Sequence, residues 1–483
     1  MEPLKDENYE DIQGLVFSGY GKRMSCVRYH LLRIGEPGKA RTWLQKMMEE
    51  SRVTHGRHRG TTWCLNIAFT SCGLQRLGLT PEDLRNFEMA FVEGMDSPRR
   101  SHTLGDFEES SPSEWKWGSR DAKKWVDLVL ILFGETPDIQ QKQDQIERDD
   151  YEDHGLSRVI SLYSAPPARL DPTKKFAVEH FGFADGISQP GIQGSLAPGP
   201  DPIPAGEFIL GYTNAYNKLT AIPTISGNSD AHKKLTKAQV RDKDKAEGSD
   251  ENKWEFGHHG TYLVFRQLKQ EVAKFRTFLR SAANTTNQTE DLIAAKIVGR
   301  WPSGALVKKD DKSDPKKPTY ENFNFSKDDP YGYGCPLGSH IRRSNPRDVL
   351  VLGENPEDSL KVSRRHRILR RGRIYGPRLD DELYVDDDKD RGLLFLCINA
   401  NIERQFEFVQ HTWIDNEKFG SLYDEIDPLI GAVPQGKPTN MRIPAHPLRQ
   451  RIQGIGRFVT VRGGAYFFLP SIKALRFLGE LQP

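Results

Sequence analysis

Val126-Asp127-Leu128-Val129-Leu130-Ile131-Leu132-Phe133-Gly134 is nearly all apolar over the length of one strand, and Leu393-Leu394-Phe395-Leu396-Cys397-Ile398 repeats that texture in the second half of the chain. Short continuous apolar runs predict buried strands. Around the first run, Asp11–Val16 and Asn66–Thr70 read as strands and Cys26–Leu32 as a strand or short helix, while Trp43, Leu44, Met47 and Met48 are spaced for a helix. Thr80-Pro81-Glu82 has the cap, the proline and the acid of a helix start. Glu147–Asp153 reads as an acidic surface segment. Around the second run, Gly260–Arg266 reads as a strand, and Leu268, Val272, Phe275 and Leu279 recur as on an amphipathic helix. Ile402–Trp413 reads as a helix, and Phe458–Pro470, with Gly463-Gly464 at its centre, as strand, turn and strand. Strands and helices therefore mix along both halves, which predicts an α+β protein of two similar domains.

The 483 residues exceed what one core organises. The 69 basic and 67 acidic residues balance, so no polyanion is bound by net field alone. The segments 232–254 and 308–329 are rich in charge and poor in apolar residues, and are expected to be exposed insertions. The five cysteines are scattered and the N-terminus lacks an apolar segment, which predicts no disulfide framework, no secretory signal and a cytoplasmic protein. No apolar run is long enough to span a membrane.

Chemistry concentrates in three places. Cys335-Pro336-Leu337-Gly338-Ser339-His340-Ile341-Arg342-Arg343-Ser344-Asn345-Pro346-Arg347 sets one imidazole among arginines. One metal ligand beside cations suits a haem, with one axial histidine and two carboxylates. If the segment is extended, Arg342 shares a face with His340. Gly182-Phe183-Ala184-Asp185-Gly186 exposes one carboxylate between glycines, and Arg364-Arg365-His366-Arg367-Ile368-Leu369-Arg370-Arg371-Gly372-Arg373 is the most basic run. Asp185 reads otherwise as a plain turn residue, and the basic run as a solvated face or polyanion site. Together, His340, Asp185 and Arg370 fit peroxide chemistry. A carboxylate moves the proton, favouring acid pH, and an arginine steadies the charge as the O–O bond breaks. No complete dinucleotide fingerprint, nucleophile elbow or zinc helix is present.

Those three motifs, with Asp11-Ile12-Gln13-Gly14 and Gly463-Gly464-Ala465-Tyr466-Phe467, resemble the dye-decolourising peroxidases, in their larger-chain subgroup. The resemblance implies two ferredoxin-like domains, 1–170 and 171–483, with non-covalent haem b held mainly by the second. It implies His340 as iron ligand, Asp185 and Arg370 as catalytic residues, and Gly186, Ile187, Ser188, Asn345, Pro346, Arg347 and Arg370 at the haem. Arg347 would meet a propionate, and Glu403 would orient His340. Gly372 stands where shorter bacterial members tend to carry asparagine, so a distal amide is expected to be missing. Hydrogen peroxide would be the oxidant and dyes or phenols the donors, some of them oxidised at surface aromatics, with Tyr375 and Trp413 the candidates. Neither nucleic acid nor membrane is an expected partner. The competing readings are a haem-processing, deferrochelatase-like protein and a haem-storage or polyanion-binding protein.

Overall fold

The computed structural model describes residues 4–481 except 22, 58–61, 166–176, 200, 239–251, 317–322, 352 and 381–383. In the first half, strand β1 (Cys26–Ile34), helix α1 (Pro37–Glu49) and strand β2 (Trp63–Phe69) are followed by β3 (Leu128–Gly134), α2 (Pro137–Asp153) and β4 (Leu156–Tyr163). In the second half, β5 (Thr261–Gln270) leads to helices α3 (Val272–Thr286), α4 (Glu290–Val298), α5 (His340–Ser344) and α6 (Pro356–Arg364). Then come β6 (Leu369–Arg370), β7 (Arg373–Tyr375), β8 (Gly392–Asn399), β9 (Val459–Leu469) and α7 (Ile472–Glu480).

The strands lie in the order β6-β8-β5-β9-β2-β3-β1-β4, with β7 also on β8, in one nine-stranded sheet. Every pairing in it is antiparallel. Within each half the spatial order is second, third, first, fourth, the ferredoxin-like arrangement stated twice in tandem. The halves join where Phe468 of β9 sits opposite Phe69 of β2. Beyond the far edges, the Ala165 amide donates to the Ile374 carbonyl at 2.8 Å, so the long sheet curls until its ends meet.

This curl explains the two apolar runs. Val129, Ile131 and Phe133 point into a core shared with Leu394, Leu396 and Ile398 of the other half. Leu128, Leu130 and Leu132 point the opposite way, under α1 and α7. With both faces covered, an antiparallel strand loses the alternation it would show against water.

Several local expectations change. Asp11–Val16 is not a strand but part of two short helices, Asp6–Asp11 and Gly14–Phe17. Gln13 nevertheless serves the sheet edge through its side chain, which accepts from Ile67 N at 3.0 Å and donates to Ile67 O at 2.9 Å. Glu147–Asp153 is the end of α2, with Glu147, Asp150 and Tyr151 buried. Lys46 and Arg52 neutralise it from α1 and its following turn, Lys46 lying 2.6 Å from Asp150. Val459–Leu469 is one unbroken strand. Its two glycines make room rather than a turn: a Cβ on Gly463 would meet the Trp117 indole at 2.5 Å, and one on Gly464 the Met95 sulfur at 2.6 Å. The charged insertion 232–254 contributes Thr236–Lys237 and the start of Lys253–Glu255 to a small three-stranded sheet with Ile225–Ser226, and its centre, 239–251, lies outside the described residues. So do 317–322 of the second insertion. Among the described residues no helix is long and apolar enough to cross a membrane.

Phe468 is fully buried at the seam, with Phe87, Tyr262 and Phe256 rings 5.3, 5.4 and 5.8 Å away. Phe468→Ala should cost about 3–5 kcal/mol of stability in urea unfolding, and a loss below about 1 kcal/mol would show the seam to be marginal.

Candidate functional site

A cavity of about 320 Å³ opens on the outer face of the second half's sheet, within the size range of small-molecule sites. Its sheet wall carries Leu268, Leu393, Phe395 and Arg370, and its helical wall carries His340, Ile341, Val409 and Ile414. Asp185, Ile187, Ser188 and Asn345 also line it, so the three motifs converge on one space. Gly186, Pro346 and Arg347 are not among its lining residues.

His340 opens α5, and its side chain is 25% exposed. Its Nδ1–H donates to Asp427 Oδ2 at 3.0 Å, which leaves Nε2 as the ring nitrogen available to the cavity. Asp427 Oδ1 accepts from Leu429 N at 2.8 Å and Ile430 N at 2.9 Å. Burial alone would push this carboxyl up. The His340 imidazole, the Ile430 amide and the Arg343 guanidinium outweigh burial and hold it below the usual carboxylate range. Asp427 was not visible in the sequence, since it stands 87 positions from its histidine in a segment without a motif. Glu403, the expected partner, instead pairs with Arg100 at 2.6 Å.

The segment after His340 is helical rather than extended. At about 100° per residue, Arg342 lies on the far side of the helix from the imidazole, and Arg343, one turn on, is drawn to backbone carbonyls instead of the cavity. Arg342 donates to the carbonyls of Asp329, Pro330 and Cys335 at 2.9, 3.1 and 3.0 Å. Arg343 binds carbonyls from Gly338 to Glu425 in the same way. Neither is a free cation for an anionic ligand. The Arg347 guanidinium lies 4.4 Å from the Phe323 ring centre.

Asp185 ends a two-residue strand, Ala184–Asp185, paired with Ala177–Val178. Gly182 and Gly186 on either side have φ of +100° and +85°, a backbone that favours glycine. Glu179 closes the loop from beneath, accepting from Phe181 N and Phe183 N, both at 2.9 Å. Arg370 meets Asp185 Oδ1 at 3.2 Å and donates to Ile187 O at 3.0 Å. Arg367 reinforces the contact, donating to Ser188 O at 3.1 Å and pairing with Asp201 at 2.8 Å. Arg371 turns the other way, to the carbonyls of Leu15 and Val16, and burial among cations brings it down to about 10. The basic run is thus divided between the cavity and the N-terminal segment instead of forming a solvated face. A Cβ at Gly372 would lie 2.7 Å from the Leu394 carbonyl, so the tight approach of β8 keeps any side chain out.

Tyr375 and Trp413 are 8% and 3% exposed, so neither is a surface residue. Tyr375 donates to Asp390 at 3.0 Å, and Trp413 packs edge-to-face with His366, Phe408 and Phe419. A second acid–arginine pair, Asp106 and Arg266, also faces the cavity, and burial pushes Asp106 up to about 6 against the pull of Arg266 and Arg457.

These residues fit a haem. His340 offers one ring nitrogen, fixed by an anion on its other side, to a cavity with one flat sheet wall and one apolar helical wall. Asn345 Oδ1 is buried there without a hydrogen-bond partner. Among the described residues no three histidine, cysteine or carboxylate side chains converge to hold a bare metal ion.

Since Asp427 titrates lower folded than unfolded, its ionised form contributes stability above about pH 4, which is lost as pH falls toward its folded value. The thermal midpoint of wild type should therefore exceed that of Asp427→Asn near pH 6 and converge with it near pH 3. A gap independent of pH would show that the carboxylate charge is not what matters.

No protein-family model matches the sequence. The chain is 30% identical over 446 residues to a dye-decolorizing peroxidase of Mycetinis scorodonius, spanning 85% of this chain and 75% of that one. It is 30% identical over 488 residues to a multifunctional dye peroxidase of Amycolatopsis, spanning 96% and 92%. Its fold is similar to the crystal structure of a fungal DyP-type peroxidase from Auricularia auricula-judae, with a TM-score of 0.73, 25% identity and coverage of 98% and 99%. The tandem ferredoxin-like fold and the similarity along nearly the whole chain place this protein in the dye-decolourising peroxidase family, and it is a peroxidase.

Proposed function

We propose that the chain binds haem b non-covalently in this cavity and uses hydrogen peroxide to oxidise dyes, phenols and similar donors. The observation that carries this reading is one cavity with the His340–Asp427 pair on its helical wall and the Asp185–Arg370 pair on its sheet side. Haem, when bound, supplies the centre that peroxide oxidises and that donors reduce one electron at a time.

His340 would hold the haem iron through Nε2. Asp427, kept ionised, raises the basicity of the imidazole and fixes its tautomer and tilt. Asp185 would act as the acid–base residue that moves a proton between the two oxygens of hydrogen peroxide. Arg370, never deprotonated, holds Asp185 in place and stabilises the charge that builds on the departing oxygen. Ile187, Ser188 and Asn345 would meet the haem. Gly186, next to Ile187, and Pro346 and Arg347, just after Asn345, would complete the contacts.

The absorption spectrum of the purified protein before and after peroxide tests the reading: a haem band that changes rapidly on mixing supports it, and a protein with no such band fails it. His340→Ala should lose the haem or hold it weakly. Arg370→Leu should keep haem and slow the peroxide reaction by about 10²–10³-fold, and Asp185→Asn by about 10²–10⁴-fold. A stopped-flow rate unaffected by either change would remove that residue from the site.

A further inference from the structure

Two buried groups of the cavity have no part in the chemistry above. Arg266 of β5 lies opposite Phe395 of β8, and Arg370 of β6 lies opposite Cys397 of the same strand. The two arginines therefore share the sheet wall. Arg266 donates to Asp106 Oδ1, and their side chains are only 5% and 2% exposed. Asp106 comes from the first half of the chain. Its turn is pinned by Arg457, which donates to Phe107 O at 3.0 Å and to Ser110 Oγ at 3.3 Å. Gly105, at φ +69°, lets the turn approach closely, since a Cβ there would sit 2.4 Å from the Ala432 Cβ.

The pair is held from both sides, yet Asp106 Oδ2 and Arg266 Nε are buried without a hydrogen-bond partner. A buried donor and a buried acceptor left open each cost stability that a matching ligand group would restore. An open acceptor and an open donor on the two members of one ion pair are the complement of a hydroxyl, whose O–H donates while its lone pair accepts. Leu268, Phe395, Phe406 and Val461 make that end of the cavity apolar. An apolar wall with one hydroxyl-matched polar pair suits a small aromatic alcohol.

We propose that Asp106 and Arg266 form a subsite for the hydroxyl of a small phenolic reductant, separate from the Asp185–Arg370 pair that handles peroxide. The inference rests on the peroxidase reading above. There the phenolic O–H bond breaks: its proton passes to Asp106 Oδ2, one electron passes to the peroxide-oxidised centre, and a neutral phenoxyl radical leaves. Over a cycle one hydrogen peroxide and two phenols become two waters and two phenoxyl radicals, so the protons collected at Asp106 leave in water. Arg266 keeps the carboxylate in accepting form between turnovers.

Calorimetric titration of the resting holoenzyme with 4-bromophenol, in the absence of peroxide, tests the subsite. Asp106→Asn should weaken that binding about tenfold, the worth of one hydrogen bond to a charged group. It should also lower the ratio of kcat/KM for the phenol to kcat/KM for a bulky anthraquinone dye by a similar factor. Undiminished affinity in a folded Asp106→Asn protein overturns the proposal. A wild-type crystal soaked with 4-bromophenol decides it without any variant: bromine signal with the hydroxyl on Asp106 Oδ2 and Arg266 Nε supports it, and no ring, or a ring elsewhere, overturns it. A protein that holds no haem or does not react with peroxide fails earlier, at the peroxidase reading itself.

Discussion

A buried guanidinium holds the proximal half of the site together. Arg343 is fully buried and has no carboxylate in direct contact; it donates to the carbonyls of Gly338, Trp413, Asn416 and Glu425 at 3.2, 2.8, 3.0 and 2.6 Å. Burial draws its pKa below the usual arginine value, while the nearby Asp427, Glu425 and Asp415 pull it back up. A cation this deep is tolerated because its donors are satisfied by fixed dipoles. The consequence is geometric. The start of α5, which bears His340, is fastened to the 413–425 segment, and Asp427 follows two positions beyond its last anchor. Asp427 N also donates to Ile414 O at 2.8 Å. The imidazole and its anion thus meet through a scaffold in which neither is free to turn.

The two faces of the cavity differ in character. Asp427 is fully buried, whereas Asp185 and Arg370 are 37% and 36% exposed. A buried anion acts more strongly on the ring beside it than an exposed one would, because less water screens it. A carboxylate and a guanidinium left partly exposed are within reach of a small solute. The loop that holds them is tied by ordinary contacts, Glu179 beneath and Arg367 above, so access does not cost position.

Much of this was legible in the sequence because it was written locally. The apolar runs of β3 and β8, the cap at Thr80 and the glycines around Asp185 each depend on neighbours along the chain. Contacts across the fold were not. Nothing near residue 427 marks it as the partner of residue 340, and Glu403 was a guess from its charge. The arginines after His340 looked available because their direction depends on whether the backbone coils, and it does. Gly463-Gly464 read as a turn because glycine most often serves one; here it admits an indole and a thioether against a strand. Tyr375 and Trp413 are surface-relay candidates only through the family resemblance, and their burial follows from packing that no local pattern records. The motifs carried the site, and the tertiary contacts decided which of their residues point into it.

The seam between β2 and β9 sets an order of events. β9 is last among the nine strands in chain order, yet it alone carries the pairing of Phe468 with Phe69. The C-terminal helix α7 then packs against α1, near the beginning, and the Gln13 amide donates to Pro470 O at 2.9 Å. The first half therefore keeps an open sheet edge and an uncovered helix while everything between is being made. Contacts of such long sequence separation form late and slowly, and an exposed edge strand invites pairing with another chain meanwhile. For this protein the hazard of aggregation belongs to the interval of synthesis, and it ends when the last strand docks against one of the first.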